Sequence, residues 1–87
     1  MEKQKVQVAV GSKKYVLTSD EDPEQVRRVA AYADRLLRET AMAARMQEGP
    51  AAIMSLITLS DRLLKSQDEN ARLRRELNSA MERLAEH

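Results

Sequence analysis

Leucines recur every seven residues along the last third of the chain. Leu56, Leu63, Leu77 and Leu84 keep this spacing, with Asn70 in the remaining place. The interleaved positions hold Leu59, Ser66, Leu73 and Ala80. Because apolar residues alternately three and four apart form a stripe that one helix cannot bury on itself, the pattern predicts a coiled coil and therefore an oligomer. Its predicted interface consists of Leu56, Leu59, Leu63, Asn70, Leu73, Leu77 and Leu84.

Asn70 is a polar residue within this seam of leucines. Asparagine at such a position typically fixes the register and the number of strands of a coiled coil, at a cost in stability. Two interpretations stay open. Asn70 enforces one assembly geometry, or it is a tolerated polar residue at a partly wet seam.

The N-terminal part alternates in the manner of β-strands. Val6, Val8 and Val10 fall on one side of a first strand, and residues 15–18 form a second β-prone run. Residues 11–14 lie between them and supply a turn, with Gly11 available for a positive φ. A β-hairpin is therefore expected. A lone hairpin is marginal in water, so this one must pack on another element.

A first helix is predicted to follow the hairpin. Asp22 is a good N-cap, Pro23 suits the first helical position, and Gln25 stands where the partner of a capping box belongs. Apolar residues at helical spacing then predict a buried face. That face consists of Val26, Val29, Ala30, Ala33, Leu36, Leu37, Ala41 and Ala44.

Gly49 and Pro50 predict the end of this helix and the start of a second one, which has no breaker from Ala51 onward. The apolar stripe of the second helix is wide over residues 53–64, which suits packing against the first helix and the hairpin. It narrows to the coiled-coil seam from Lys65. The sequence thus predicts an α+β fold, with a compact head over residues 1–64 and a coiled-coil stalk over residues 65–87.

Composition argues against several classes of function. The 87 residues include no cysteine, two glycines and a single histidine, His87, so neither a catalytic constellation nor a Gly-rich phosphate loop is evident. We therefore expect no enzyme, no cofactor, no metal and no small-molecule substrate. No apolar run approaches the roughly 18 residues of a membrane span. The absence of cysteine and of a signal peptide favours a cytoplasmic protein.

The charges are nearly balanced, with 15 basic and 14 acidic residues and a net charge of +1. With only two tyrosines as aromatics, this balance argues against nucleic-acid binding. The predicted first helix nevertheless carries five arginines, and two lysines lie at the predicted hairpin turn: Arg27, Arg28, Arg35, Arg38 and Arg45, with Lys13 and Lys14. They are either a solubilising surface or a contact face for an acidic partner.

The order of these segments resembles the ZapA family of bacterial cell-division proteins. Residues 6–11 followed by 15–17 are similar to the family's opening hairpin. Residues 29–39 resemble its first helix, in which an alanine-rich start leads to an aspartate and a basic segment. Residues 53–63 resemble the start of its long helix, which continues into a coiled coil.

This resemblance implies a function. ZapA-like proteins bind FtsZ, the tubulin-like division GTPase, and their long helices assemble dimers that pair antiparallel into tetramers. Such an oligomer cross-links FtsZ protofilaments and promotes Z-ring assembly at the division site. Charged head positions are the FtsZ contacts that the resemblance suggests, here Lys13, Lys14, Arg35, Arg38, Arg45 and Glu48. The alternative is a generic coiled-coil adaptor whose head binds another cytoplasmic protein.

Overall fold

Two strands and two helices follow one another along the chain. The computed structural model describes residues 2–86. Its elements are β1 (Gln4–Val10), β2 (Lys13–Ser19), α1 (Pro23–Ala44) and α2 (Glu48–Ala85). The predicted α+β fold, a hairpin followed by two helices of which the second is long, is confirmed. The chain divides into two units between Ser55 and Leu56, so the head and stalk with a boundary at residue 64 stay a prediction.

The hairpin is tighter than the sequence analysis expected. β1 and β2 pair antiparallel from Gln4↔Ser19 to Val10↔Lys13, so only Gly11 and Ser12 form the turn. Lys13 and Lys14 belong to β2 and not to the turn. Gly11 has φ +64°, which is typical of the first central residue of a type II′ turn. A turn of this kind needs only two residues, which explains the difference.

The core of the first unit lies between β1 and α1. Val6 and Val8 of β1 are buried against Val26 and Ala30 of α1, and Val10 packs at the edge of this cluster. Val6 is only 2% exposed. Leu36 and Leu37 of α1 and Ala51 of α2 are also buried in this unit. Each strand residue that faces α1 alternates with one that faces solvent, as expected of a sheet covered on one side.

Four of the eight residues of the predicted buried face of α1 are buried, namely Val26, Ala30, Leu36 and Leu37. Ala33 and Ala41 are half-buried rather than buried. Val29 and Ala44 are exposed, contrary to the prediction. Val29 is exposed because α1 packs on β1 and leaves this flank of the helix uncovered. Ala44 is the last residue of the helix.

Both ends of α1 have well-defined caps. Asp22 Oδ1 accepts a hydrogen bond of 3.0 Å from the Glu24 N–H, and Pro23 is the first helical residue, which confirms the predicted N-cap. At the other end Arg45 adopts a left-handed conformation with φ +51°. The Met46 N–H donates to the Ala41 carbonyl at 3.0 Å, as in a Schellman motif. The helix therefore ends at Ala44, and Arg45 is its C-terminal cap.

The prediction that Gly49 ends the first helix is wrong. Arg45 already supplies the left-handed residue, and α2 begins at Glu48 rather than at Pro50. Gly49 and Pro50 lie in the first turn of α2. Proline is tolerated there because the first N–H groups of a helix have no intrahelical acceptor.

The second unit is the part of α2 that starts at Leu56. None of its described residues is buried. Ion pairs along the helix include Lys65 with Asp61 at 2.9 Å, and Arg72 with both Glu69 and Glu76. Pairs three and four residues apart stabilise an exposed helix by a few tenths of a kcal/mol each. Over the described residues, neither helix combines the length and the apolar character that a membrane crossing requires.

Candidate interaction surfaces

Two carboxylates hold the turn of the hairpin. The Gly11 N–H donates to Asp34 Oδ1 of α1 at 2.8 Å. The Ser12 N–H donates to Glu48 Oε1 at 2.8 Å, and the Ser12 hydroxyl donates to Glu48 Oε2 at 2.6 Å. We call these four residues, Gly11, Ser12, Asp34 and Glu48, the turn clamp. It joins the hairpin to the middle of α1 and to the first turn of α2.

Gly11 is required at the turn clamp for two reasons. Its positive φ lies in the region that residues with a Cβ rarely adopt. A Cβ atom there would also lie 1.6 Å from Glu48 Oε1 and 3.0 Å from Leu37 Cδ2. A Cβ atom at this position would therefore displace the Glu48 carboxylate from its place in the clamp.

The hydrogen bonds of the clamp favour the ionised carboxylates. The Gly11 N–H is the main cause that lowers the pKa of Asp34, and the Arg38 guanidinium, whose Nε lies 2.9 Å from Asp34 Oδ2, lowers it further. The Ser12 hydroxyl and then the Ser12 N–H lower the pKa of Glu48. The charges of Lys13 and Arg38 act in the same direction. Both carboxylates are thus acceptors at neutral pH.

The clamp was not anticipated from the sequence, although one signal was available. Asp34 is four residues after the buried Ala30 and three before the buried Leu37, so it borders the apolar face of α1. A carboxylate at the margin of a core needs hydrogen-bond donors. Which donors it finds depends on the placement of the hairpin, which lies 23 residues earlier in the chain.

The leucine seam is the largest apolar feature of the second unit. Leu56, Leu63, Leu73, Leu77 and Leu84 are between 50% and 76% exposed. Leu59 and Ala80 are half-buried, and Asn70 is exposed. From Leu56 to Leu84 the seam extends over about 42 Å of α2 at 1.5 Å per residue. Side chains of this size lose roughly 1.5–3 kcal/mol of favourable burial when they stay in water.

The sequence of the chain matches the model of a known protein family. The family model described as cell division protein ZapA matches residues 6–87. The chain belongs to the ZapA family. No curated protein and no solved structure matches it. The matched residues include most of the hairpin, both helices and the whole seam, so the resemblance seen in the sequence is confirmed.

Family membership establishes the coarse function. This member of the ZapA family is a cell-division protein of the ZapA type, in a family connected with FtsZ and the Z-ring. The ZapA family is non-enzymatic. Within residues 2–86, no group of three or more His, Cys, Asp or Glu side chains is arranged to hold a metal ion.

The structure gathers three of the six charged residues that the resemblance suggested. Glu48 belongs to the turn clamp. The charges of Lys13 and Arg38 both lower its pKa, so these two residues lie close to the clamp. Arg38 and Glu48 also have partners within the chain, Asp34 and Ser12. Side chains alternate along a strand, so Lys14 lies on the opposite face of the hairpin from Lys13.

Of the other two charged residues, one lies on α1 and the other directly follows it. Arg35 contacts Glu39 at 3.7 Å, and its guanidinium carbon lies 5.5 Å from the ring centroid of Tyr32. Arg45 caps the C-terminal end of the helix. A role of any of the six residues in binding a partner stays a prediction.

Proposed function

We propose that this member of the ZapA family binds FtsZ and cross-links its protofilaments, which promotes Z-ring assembly. Family membership supports the partner, since the family is connected with FtsZ and the Z-ring. The observation that supports cross-linking is the exposed leucine seam of α2. A seam of this length is stable only when another helix covers it.

Self-association makes the protein multivalent. In this proposal, coiled-coil pairing joins two heads, and the pairing of two dimers joins four. The pairing residues are Leu56, Leu59, Leu63, Asn70, Leu73, Leu77 and Leu84. Several weak contacts on one oligomer add up to a much tighter attachment to a filament that repeats its binding sites. In this proposal residues 1–64 form the binding head and residues 65–87 form the stalk.

The proposed head contact is electrostatic. The basic residues of the proposed contact face acidic groups of FtsZ. The proposed contact residues are Lys13, Lys14, Arg35, Arg38, Arg45 and Glu48. The protein acts by binding alone, without catalysis or a cofactor. Its proposed place is the cytoplasm at the division site, where FtsZ filaments assemble.

A generic coiled-coil adaptor is the second candidate. The same exposed seam favours it, since a coiled coil can join heads that bind any cytoplasmic protein. The two candidates differ in the partner, not in the architecture.

Sedimentation of FtsZ from the same bacterium, polymerised with GTP, separates the two candidates. We expect more FtsZ in the pellet when the protein is added, and the protein in the pellet with it. The matched variant is Leu77→Asp, which should still bind filaments but should not increase the pellet, because single heads cannot cross-link. A pellet unchanged by the wild-type protein, with no protein in it, would favour the adaptor.

A second experiment tests the basic contact residues. The double variant Arg38→Glu and Arg45→Glu should bind FtsZ more weakly, while light scattering shows an unchanged oligomer mass. The control variant is Arg27→Glu and Arg28→Glu, which makes the same change of charge elsewhere on α1. Equal binding by both variants and the wild type would remove Arg38 and Arg45 from the contact.

A further inference from the structure

The sheet face that packs on α1 is covered over only one of its two strands. Val6 pairs with Leu17 and Val8 pairs with Tyr15, so each pair lies on the same face of the hairpin. The two valines of β1 are buried, whereas Leu17 is 44% and Tyr15 is 47% exposed. Since α1 packs on β1, the β2 half of an apolar face is left without a helix over it.

An open groove of about 460 Å³ results from this offset. One wall is Tyr15 and Leu17 of β2, and the other is Val29 and Ala33 of α1. Among the residues that the structure describes, Glu21 is the only charged one that lines the groove. We call it the β2 groove. Its apolar lining suits an apolar helix that lies beside α1 and completes the helical layer on the sheet.

The same chain exposes an apolar ridge that matches this groove. Ile53, Ile57 and Leu64 lie on one side of α2, and each is more than half exposed. At 100° per residue this ridge is about 100° around the helix from the nearby seam residues Leu56, Leu59 and Leu63. A helix that covers the seam therefore leaves the ridge uncovered. We call these three residues the α2 ridge.

We propose that the β2 groove of one copy receives the α2 ridge of a second copy. The dimensions agree, since the ridge spans about 16 Å of helix and the seven residues of β2 extend over about 20 Å. In a two-fold dimer the contact occurs twice.

The need of the head for further packing favours a second copy over another partner. The buried cluster between the hairpin and α1 consists of only Val6, Val8, Val26 and Ala30. A two-stranded sheet needs a well-packed neighbour for its stability, and the ridge of a second copy supplies one wherever the chain self-associates. The proposal rests on the self-association in the proposed function and is independent of FtsZ.

Cross-linking between two copies tests the contact directly. The chain has no cysteine, so Leu17→Cys can be placed on one tagged copy and Ile57→Cys on another, co-expressed and treated with a short bis-maleimide. The control replaces Ile57→Cys by Lys65→Cys, which adjoins Leu64 in sequence but lies off the ridge. We expect a covalent heterodimer with the first pair and none with the control pair. Equal cross-linking of both pairs, or none of either, overturns the proposal.

A second measurement compares neighbouring positions on the two faces of β2. Leu17→Asp places a charge in the groove, whereas Val16→Asp places it on the opposite face, where Val16 is more exposed than Leu17. Leu17→Asp should weaken the dimer at least about tenfold, and Val16→Asp by less than about twofold. Equal dimer dissociation constants for the two variants overturn the proposal. A wild-type chain that is monomeric would instead remove the self-association on which it rests.

Discussion

The two units of this chain place their apolar residues in opposite ways. Up to Ser55, the hairpin, α1 and the first turns of α2 each contribute buried residues, among them Val6, Leu37 and Ala51. From Leu56 onward, none of the described residues is buried, although α2 continues without a break. One helix thus takes part in a core over its first turns and exposes leucines after them. The first unit buries apolar residues within the chain, whereas the second leaves its leucines exposed.

The largest effect is expected from a variant that disrupts self-association through the leucine seam of the second unit. Leu77→Asp places a carboxylate in the seam, where it loses its hydration if a second helix covers it. We expect the self-association constant to fall by about 100-fold or more, which corresponds to about 3 kcal/mol. Light scattering over a range of concentrations should show the lower mass.

The control for this variant is Ser79→Asp, which adds the same charge at an exposed position off the seam. It should leave the mass unchanged. If Leu77→Asp also leaves the mass unchanged, the seam is not the interface, and the contrast between the two units would need another explanation.

The turn clamp offers a test of the first unit alone. Gly11→Ala forces a Cβ atom into a left-handed conformation and toward the Glu48 carboxylate. The conformation alone costs about 1–2 kcal/mol, and displacement of Glu48 also breaks its two hydrogen bonds to Ser12. Urea denaturation should therefore show a loss of more than about 1 kcal/mol of stability, with the oligomer mass preserved.

Gly49→Ala is the matched control among the two glycines of the chain. Apart from its two chain neighbours and the backbone of its own helix, no described atom lies within 4 Å of the position that its Cβ would take. The gain in helix propensity from alanine is opposed by the clash with Pro50, so we expect a change within about 0.5 kcal/mol. Equal effects of the two substitutions would show that the close approach at Gly11 contributes nothing to stability.

Local patterns predicted most of the fold, because they depend on few residues close in sequence. The alternation of Val6, Val8 and Val10 predicted β1, and Asp22 with Pro23 predicted the start of α1. The end of α1 was misjudged because Arg45, a residue with no special preference for a left-handed conformation, ends the helix before Gly49 does.

Contacts between distant residues could not be predicted in the same way. The hydrogen bond from Ser12 to Glu48 joins residues 36 positions apart, and the sequence around neither residue indicates it. The exposure of Val29 depends on which strand α1 covers, which a helical pattern cannot show. Of the candidate site, the charged residues and the seam were identifiable from the sequence, whereas the clamp and the β2 groove emerged only in three dimensions.

Acid should loosen the first unit through the turn clamp. The folded state lowers the pKa of both Asp34 and Glu48, so the unfolded chain binds their protons more readily. Their contribution to stability is complete above the unfolded pKa values of about 4 and is lost as the pH falls through the lower folded values. The amide NMR signals of Gly11 and Ser12 should shift over this acidic range.

Asp34→Asn with Glu48→Gln is the variant that checks this assignment. It removes both titrating groups, so the acid-induced shifts of the two amides should disappear. Glu21→Gln, elsewhere in the first unit, should leave them as in the wild type. Shifts that persist in the double variant would mean that other carboxylates control the turn.

The smallest expected effect concerns the residue that ends α1. Arg45 has a left-handed backbone that glycine adopts without the steric cost of a Cβ atom. Arg45→Gly should therefore stabilise the first unit by about 0.5–1 kcal/mol, as measured by urea denaturation, and should leave the oligomer mass unchanged. The same variant also lacks one of the proposed FtsZ contacts. If the variant is more stable but binds FtsZ more weakly, the role of Arg45 in the fold is distinct from its role in binding. A loss of stability would contradict the cap geometry.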